Sequence, residues 1–131
     1  MPTLLYLPPE HAHQLLLLYL SLAFGADSAL DPHERQTAVR LARTWAPEWT
    51  EAEVDHAVDA AVSAMRAGLV PPPEAIARSL RSALSRERRR RVLGELGRIA
   101  RADGHVLVSE ANVIRRIRSV WDRATSLPDA A

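Results

Sequence analysis

Ala102-Asp103-Gly104-His105-Val106, followed by Glu110, is the stretch whose reading decides the fold. A shift of 76 positions lays it on Ala26-Asp27-Ser28-Ala29-Leu30 and Glu34. The same shift aligns Leu20 with Leu96, Ala23 with Ile99, Leu30 with Val106, Arg40 with Arg116, Leu41 with Ile117 and Trp45 with Trp121. Each copy therefore reads as helix, Ala-Asp, a six-residue loop, Glu, helix, Trp. A repeat of this kind implies two similarly built helix pairs related by a pseudo-two-fold axis, with the intervening chain as a link.

Working outward from the first copy, Pro8-Pro9-Glu10 suits a helix start, because proline fits the first turn and an acid complements the helix dipole. The leucines from Leu15 onward make that helix apolar almost all round, which marks it as central. Asp31-Pro32-His33-Glu34 offers a cap, a proline at the first helical position and an acid three residues after the cap, opening a second helix over about 32–46. Thr50-Glu51-Ala52-Glu53 is a second capping box; Val54, Ala57, Val58, Ala61, Val62 and Met65 follow at helical spacing up to Gly68. Pro71-Pro72-Pro73 marks a rigid turn before a short fourth helix with Ile76, Leu80 and Leu84. Ser85 caps a fifth helix through Val92, Leu93, Leu96, Ile99 and Ala100; a sixth runs from about Ser109 with Val113, Ile114, Ile117, Val120 and Trp121 inside. No segment alternates like a strand. The expected fold is all-α, a compact bundle of about six helices in one domain over 1–131, with repeat halves at about 9–46 and 85–125 and linking helices at about 50–84.

Composition fits that reading. Apolar residues make up 47% and charged residues 25% of the chain, globular rather than disordered proportions. Without cysteine there is no disulfide framework, thiolate zinc site or cysteine nucleophile. The apolar stretch 15–26 is broken by Tyr19 and Ser21 and falls short of the ~20 residues a membrane span needs, so no membrane insertion is expected. Residues 1–34 hold no Lys or Arg, unlike a secretory signal, which places the chain in the cytoplasm. All 17 basic residues are Arg, a bias that reflects genome composition more than chemistry. Their distribution is uneven: 1–65 carry three Arg against nine acids, 66–131 fourteen Arg against seven. Either the halves attract each other within the fold, or a basic face awaits an acidic partner.

One further feature concerns helix packing. Ser21 and Gly97 are equivalent under the shift and Gly94 lies one turn before Gly97. Interior helical glycine costs about 0.5–1 kcal/mol relative to Ala. The pair predicts a close crossing of the first and fifth helices at that point.

With two Ala-Asp motifs at matched helical positions, the chain resembles the TerB-like domains, named for tellurite-resistance operons and also found at the N-terminus of a membrane co-chaperone type. The resemblance runs from about Leu15 to Trp121. It implies an all-helical fold with acidic interhelical loops, a link to bacterial stress responses and a suspected capacity for metal. Two positions depart from the doubled pattern: Ser28 stands where the second copy has Gly104, and Leu107 lacks the polarity of its counterpart Asp31.

Two groups of residues are candidates for function. The carboxylates Asp27, Asp31, Glu34, Asp103 and Glu110 could hold a divalent cation (Ca²⁺, Mg²⁺, Mn²⁺ or Zn²⁺), since hard cations take oxygen ligands and Mg²⁺ needs only one or two carboxylates. The alternative is that they cap helices and brace loops, as Asp at a turn and Glu at the third helical position commonly do. The EF-hand pattern is not met. His105 in the second loop is a weaker ligand candidate, while His11 and His13 point to different faces of one helix.

The second group is Arg86, Arg88, Arg89, Arg90 and Arg91, at a helix start where positive charge opposes the macrodipole and something must compensate. Acids of the first half are one answer; a nucleic-acid or acidic-protein surface, extended by Arg98 and Arg101, is the other. No Gly-rich phosphate loop, serine elbow or nucleophile–base spacing is present, which disfavours an enzyme. The reading is a non-enzymatic accessory domain that meets a protein partner, with a small nucleic-acid or acidic-partner binding module as the alternative. Neither the partner nor the oligomeric state is legible in the residues.

Overall fold

The computed structural model describes residues 7–24, 32–102 and 108–126. Among them are six α-helices and no strand: α1 (Pro9–Phe24), α2 (Pro32–Thr44), α3 (Glu51–Arg66), α4 (Pro73–Leu80), α5 (Arg86–Ala100) and α6 (Val108–Ser126), with a single 3₁₀ turn, Arg81–Ala83, after α4. The expected helices are all present with ends shifted by a residue or two, save that α4 stops at Leu80 and leaves Leu84 beyond the 3₁₀ turn.

α1 is the central helix. Leu15, Leu16, Leu18, Tyr19 and Leu20 point in successive directions around the helix, yet none is more than 2% exposed. Only a helix surrounded by others permits that, and α1 packs on α2, α3, α4 and α5. Burying each of these leucines contributes about 1.5–3 kcal/mol. The chain before α1 is tied down as well, with Leu7 buried and its N–H donating to the Trp45 carbonyl at 3.1 Å.

The caps form as their residue types require. The Thr50 hydroxyl accepts from the Glu53 N–H at 3.1 Å and the Glu53 carboxylate accepts from the Thr50 N–H at 2.8 Å, a reciprocal box. Ser85 Oγ accepts from the Arg88 N–H, so α5 starts afresh rather than continuing α4. Gly68 closes α3 at φ +70°, a conformation that favours glycine.

Two findings depart from the sequence reading. The first is that α4 is more than a link: Ile76, Ala77 and Leu80 are buried, and α4 packs on both α1 and α6. The second concerns the glycines. α1 and α5 do touch, but Gly94 and Gly97 show no α1 atom at close range: a Cβ on Gly94 would meet nothing within 4 Å, and one on Gly97 would meet the Arg101 side chain first, at 3.4 Å. The expected glycine crossing is therefore absent. α1 and α5 meet instead through a polar pair, Tyr19 and Glu95.

Candidate functional site

Glu34 and Glu110, equivalent under the 76-residue shift, are the third residues of α2 and α6. Both carboxylates are buried, at 4% and 3% exposure, and each interacts within the fold. Asp27, Asp31, Asp103 and His105 lie outside the described residues. Among the described residues, no three His, Asp or Glu side chains converge as a metal cluster would.

Arg86 to Arg91 start α5 as expected, but they do not act as one patch. Arg91 Nε donates to Glu95 Oε2 at 3.0 Å and its guanidinium lies 5.9 Å from the centre of the Trp45 ring. This arginine belongs to an internal network. Arg89, half-buried, donates to the Arg81 carbonyl at 3.3 Å. Its burial first, then the neighbouring charges of Arg81 and Arg86, pull its pKa below the usual arginine value, with Asp122 opposing. Arg88 is half-buried and likewise engaged within the fold, whereas Arg86 and Arg90 are exposed.

Arg86, Arg89 and Arg90 form one bank of a groove of about 1150 Å³ between α5 and α6, with Arg118 and Asp122 on the facing helix and Arg101 at the far end. Leu93, Gly94, Gly97 and Ile114 also line it. Asp122 is the only carboxylate lining it among the described residues. A second groove, of about 890 Å³ between α2 and α3, differs in charge: Arg35, Arg40 and Arg43 are matched there by Glu51 and Asp55.

The residue that sequence reasoning missed is Glu95. It is 4% exposed, and its Oε1 accepts from both the Tyr19 hydroxyl and, at 2.8 Å, Trp45 Nε1. With Arg91 on Oε2, three donors hold one buried carboxylate. The signal was available, because Val92, Glu95, Leu96 and Ile99 form a single helical face and an acid on an apolar stripe requires partners.

Tyr19 and Glu95 are themselves 76 residues apart. Under the pseudo-two-fold relation expected from the repeat, equivalent residues that touch each other would lie beside the axis, here between α1 and α5 at this hydrogen bond. The symmetry is broken at the second tryptophan. By analogy with Trp45 reaching Glu95, Trp121 would reach Tyr19; instead its Nε1 donates to the Ala77 carbonyl at 2.8 Å, because α4 packs on both α1 and α6.

Burial, then the charge of Glu95 and its hydrogen bond, push the Tyr19 hydroxyl pKa well above its ordinary value of 10.0. The folded state therefore keeps Tyr19 neutral where the unfolded chain ionises it. The resulting stability is fully present below the unfolded pKa and is lost as pH rises from there through the folded pKa. Above pH 10 the wild type is expected to lose up to about 1.4 kcal/mol per pH unit from this group. Tyr19→Phe should flatten that slope, at a cost near neutrality of about 1.5–3 kcal/mol for the lost bond to a charged acceptor. Denaturant melts across this alkaline range check it; equal slopes in the two proteins would refute the assignment.

Among the described residues, no helix is long and apolar enough to cross a membrane. No curated protein and no solved structure significantly matches the chain. The model of the family described as tellurite resistance protein TerB matches residues 7–121, nearly the whole length, in agreement with the two Ala-Asp copies and the all-helical fold: the chain belongs to the TerB family.

Proposed function

We propose that this TerB-family chain is a non-enzymatic, cytoplasmic accessory domain of bacterial stress physiology of the tellurite-resistance kind, and that it works by contacting a protein partner. The observation that carries this is the groove between α5 and α6: among the described residues, five arginines and one acid line it together with apolar side chains and two glycines. Such a surface attracts anions and still has apolar area to bury, a combination that protein interfaces use. The alternative, a nucleic-acid module, draws on the same arginines. It is less well supported, because Trp121 is the only aromatic residue lining the groove among the described residues and it is 2% exposed, leaving no platform for base stacking.

The test is photo-crosslinking in cells of the source organism, from a photoreactive amino acid in place of Arg90 and, as a control, of Asp59 on the exposed face of α3. Discrete polypeptide adducts are expected from position 90 and not from position 59, and Arg86→Glu with Arg118→Glu should abolish them. Nucleic-acid adducts from position 90, or none, would overturn the reading.

A divalent cation at the acidic loops is a second reading, favoured by the inward-turned carboxylates of Glu34 and Glu110 at equivalent helix starts. Their chemistry suits a hard cation. Asp27, Asp31 and Asp103 would complete the set.

A further inference from the structure

The α5–α6 groove holds two chemistries side by side. Arg86, Arg89, Arg90 and Arg118 gather toward one end and Arg101 stands at the other, against one acid among the described residues, Asp122. The rest of the lining is uncharged, with Leu93, Gly94, Gly97, Ala111 and Ile114 among it. Phosphate chains need the cations but have no use for an apolar lining, whereas a polypeptide helix with one acidic and one apolar side uses both. The length also fits, since the 15 residues of α5 rise by about 22 Å, roughly four turns of a docked helix.

Gly94 and Gly97 then acquire a reason. Each is unfavourable in a helix interior, yet among the described residues no close packing requires either: a Cβ would find nothing within 4 Å at Gly94 and would meet the Arg101 guanidinium first at Gly97. Both line the groove. Helix axes approach to about 8–10 Å according to the side chains at the contact, and glycine permits the near end of that range. We propose that the groove is the docking site for an acidic amphipathic helix of a partner protein, its carboxylates meeting the arginines and its apolar stripe resting on the uncharged lining that includes Gly94 and Gly97. The close crossing that the glycines imply is thus made with the partner and not with α1. This rests on the protein-contact reading above and specifies its occupant.

The test uses the full chain and three fluorescent probes. One is a peptide of Leu, Ala and Glu about four helical turns long, with its Leu and Ala on one face. The second has the same composition with the faces scrambled, and the third is a single-stranded oligothymidine of similar length. At physiological salt, the wild type is expected to bind the amphipathic peptide at least about tenfold tighter than either control. Gly94→Leu should weaken that binding at least about tenfold while melting no lower than wild type, because its Cβ has nothing within 4 Å and points from a residue that lines the open groove. Gly94→Ala with Gly97→Ala should melt higher than wild type and bind more weakly, a pairing that damage to the fold cannot produce.

Equal binding of the scrambled peptide or the oligonucleotide would overturn the proposal, as would a Gly94→Leu chain that binds normally. Self-association of the wild type that Gly94→Leu abolishes would also overturn it, in favour of a second copy as occupant. Polypeptide crosslinks from position 90 without preference for the amphipathic peptide would retain the protein-contact reading and reject this occupant.

Discussion

Glu95→Ala is expected to destabilise the fold by about 3–5 kcal/mol, the cost of breaking a buried charged network from one side. Three donors converge on this carboxylate, and two of them, the Tyr19 hydroxyl and Trp45 Nε1, belong to side chains of essentially zero exposure. Neither can turn to water when the acceptor is removed. Each unsatisfied buried donor carries a penalty of about 1–3 kcal/mol. Arg91 can reach solvent, since its side chain is 49% exposed, so its contribution is the smaller. For a chain of this size about 1 kcal/mol corresponds to roughly 4 °C, giving an expected fall in Tm of about 10–20 °C. Glu95→Gln keeps a carbonyl acceptor and should recover part of the loss. If Glu95→Ala melts within about 1 kcal/mol of wild type, the network is not what holds α1, α2 and α5 together.

The same network shows how far the sequence could be read. The helices were legible because local chemistry fixes them: Thr50 and Ser85 as caps, Gly68 as a stop, and apolar stripes at helical period. The 76-residue repeat was legible too, and it identified the helix pairs that α1 and α2, and α5 and α6, form. What periodicity could not supply was which faces meet. It assigned Gly94 and Gly97 to an internal crossing, since a helical glycine reports close approach without naming the approaching partner. It treated Arg86 to Arg91 as one charged run, although a turn of 100° per residue sends Arg91 toward Glu95 and Trp45 while Arg86 and Arg90 line the groove. The place of α4 between α1 and α6 was equally hidden: Ile76, Ala77 and Leu80 read as a short amphipathic helix, and only the tertiary arrangement gives the Ala77 carbonyl to Trp121.

Of the candidate metal residues, Glu34 and Glu110 matched under the repeat and match again in burial. This equivalence leads to the remaining prediction. On the second reading above, a divalent ion at the acidic loops binds only the folded arrangement and adds its binding free energy to stability. Ca²⁺, Mg²⁺, Mn²⁺ or Zn²⁺ is therefore expected to raise the Tm, by about 2.7 kcal/mol in stability when the free ion reaches roughly a hundred times its Kd. On the scale above this is about 10 °C. Asp103→Asn with Glu110→Gln should abolish the shift, because amide oxygens lack the charge a hard cation needs. The far-ultraviolet helical signal should stay unchanged, since both replacements preserve shape. A thermal melt of wild type and double variant, each with and without every ion, separates the two readings of these residues. If no ion moves the wild-type melt, the acidic side chains serve as helix caps and loop braces, and the family's suspected link to metal does not extend to this chain through them.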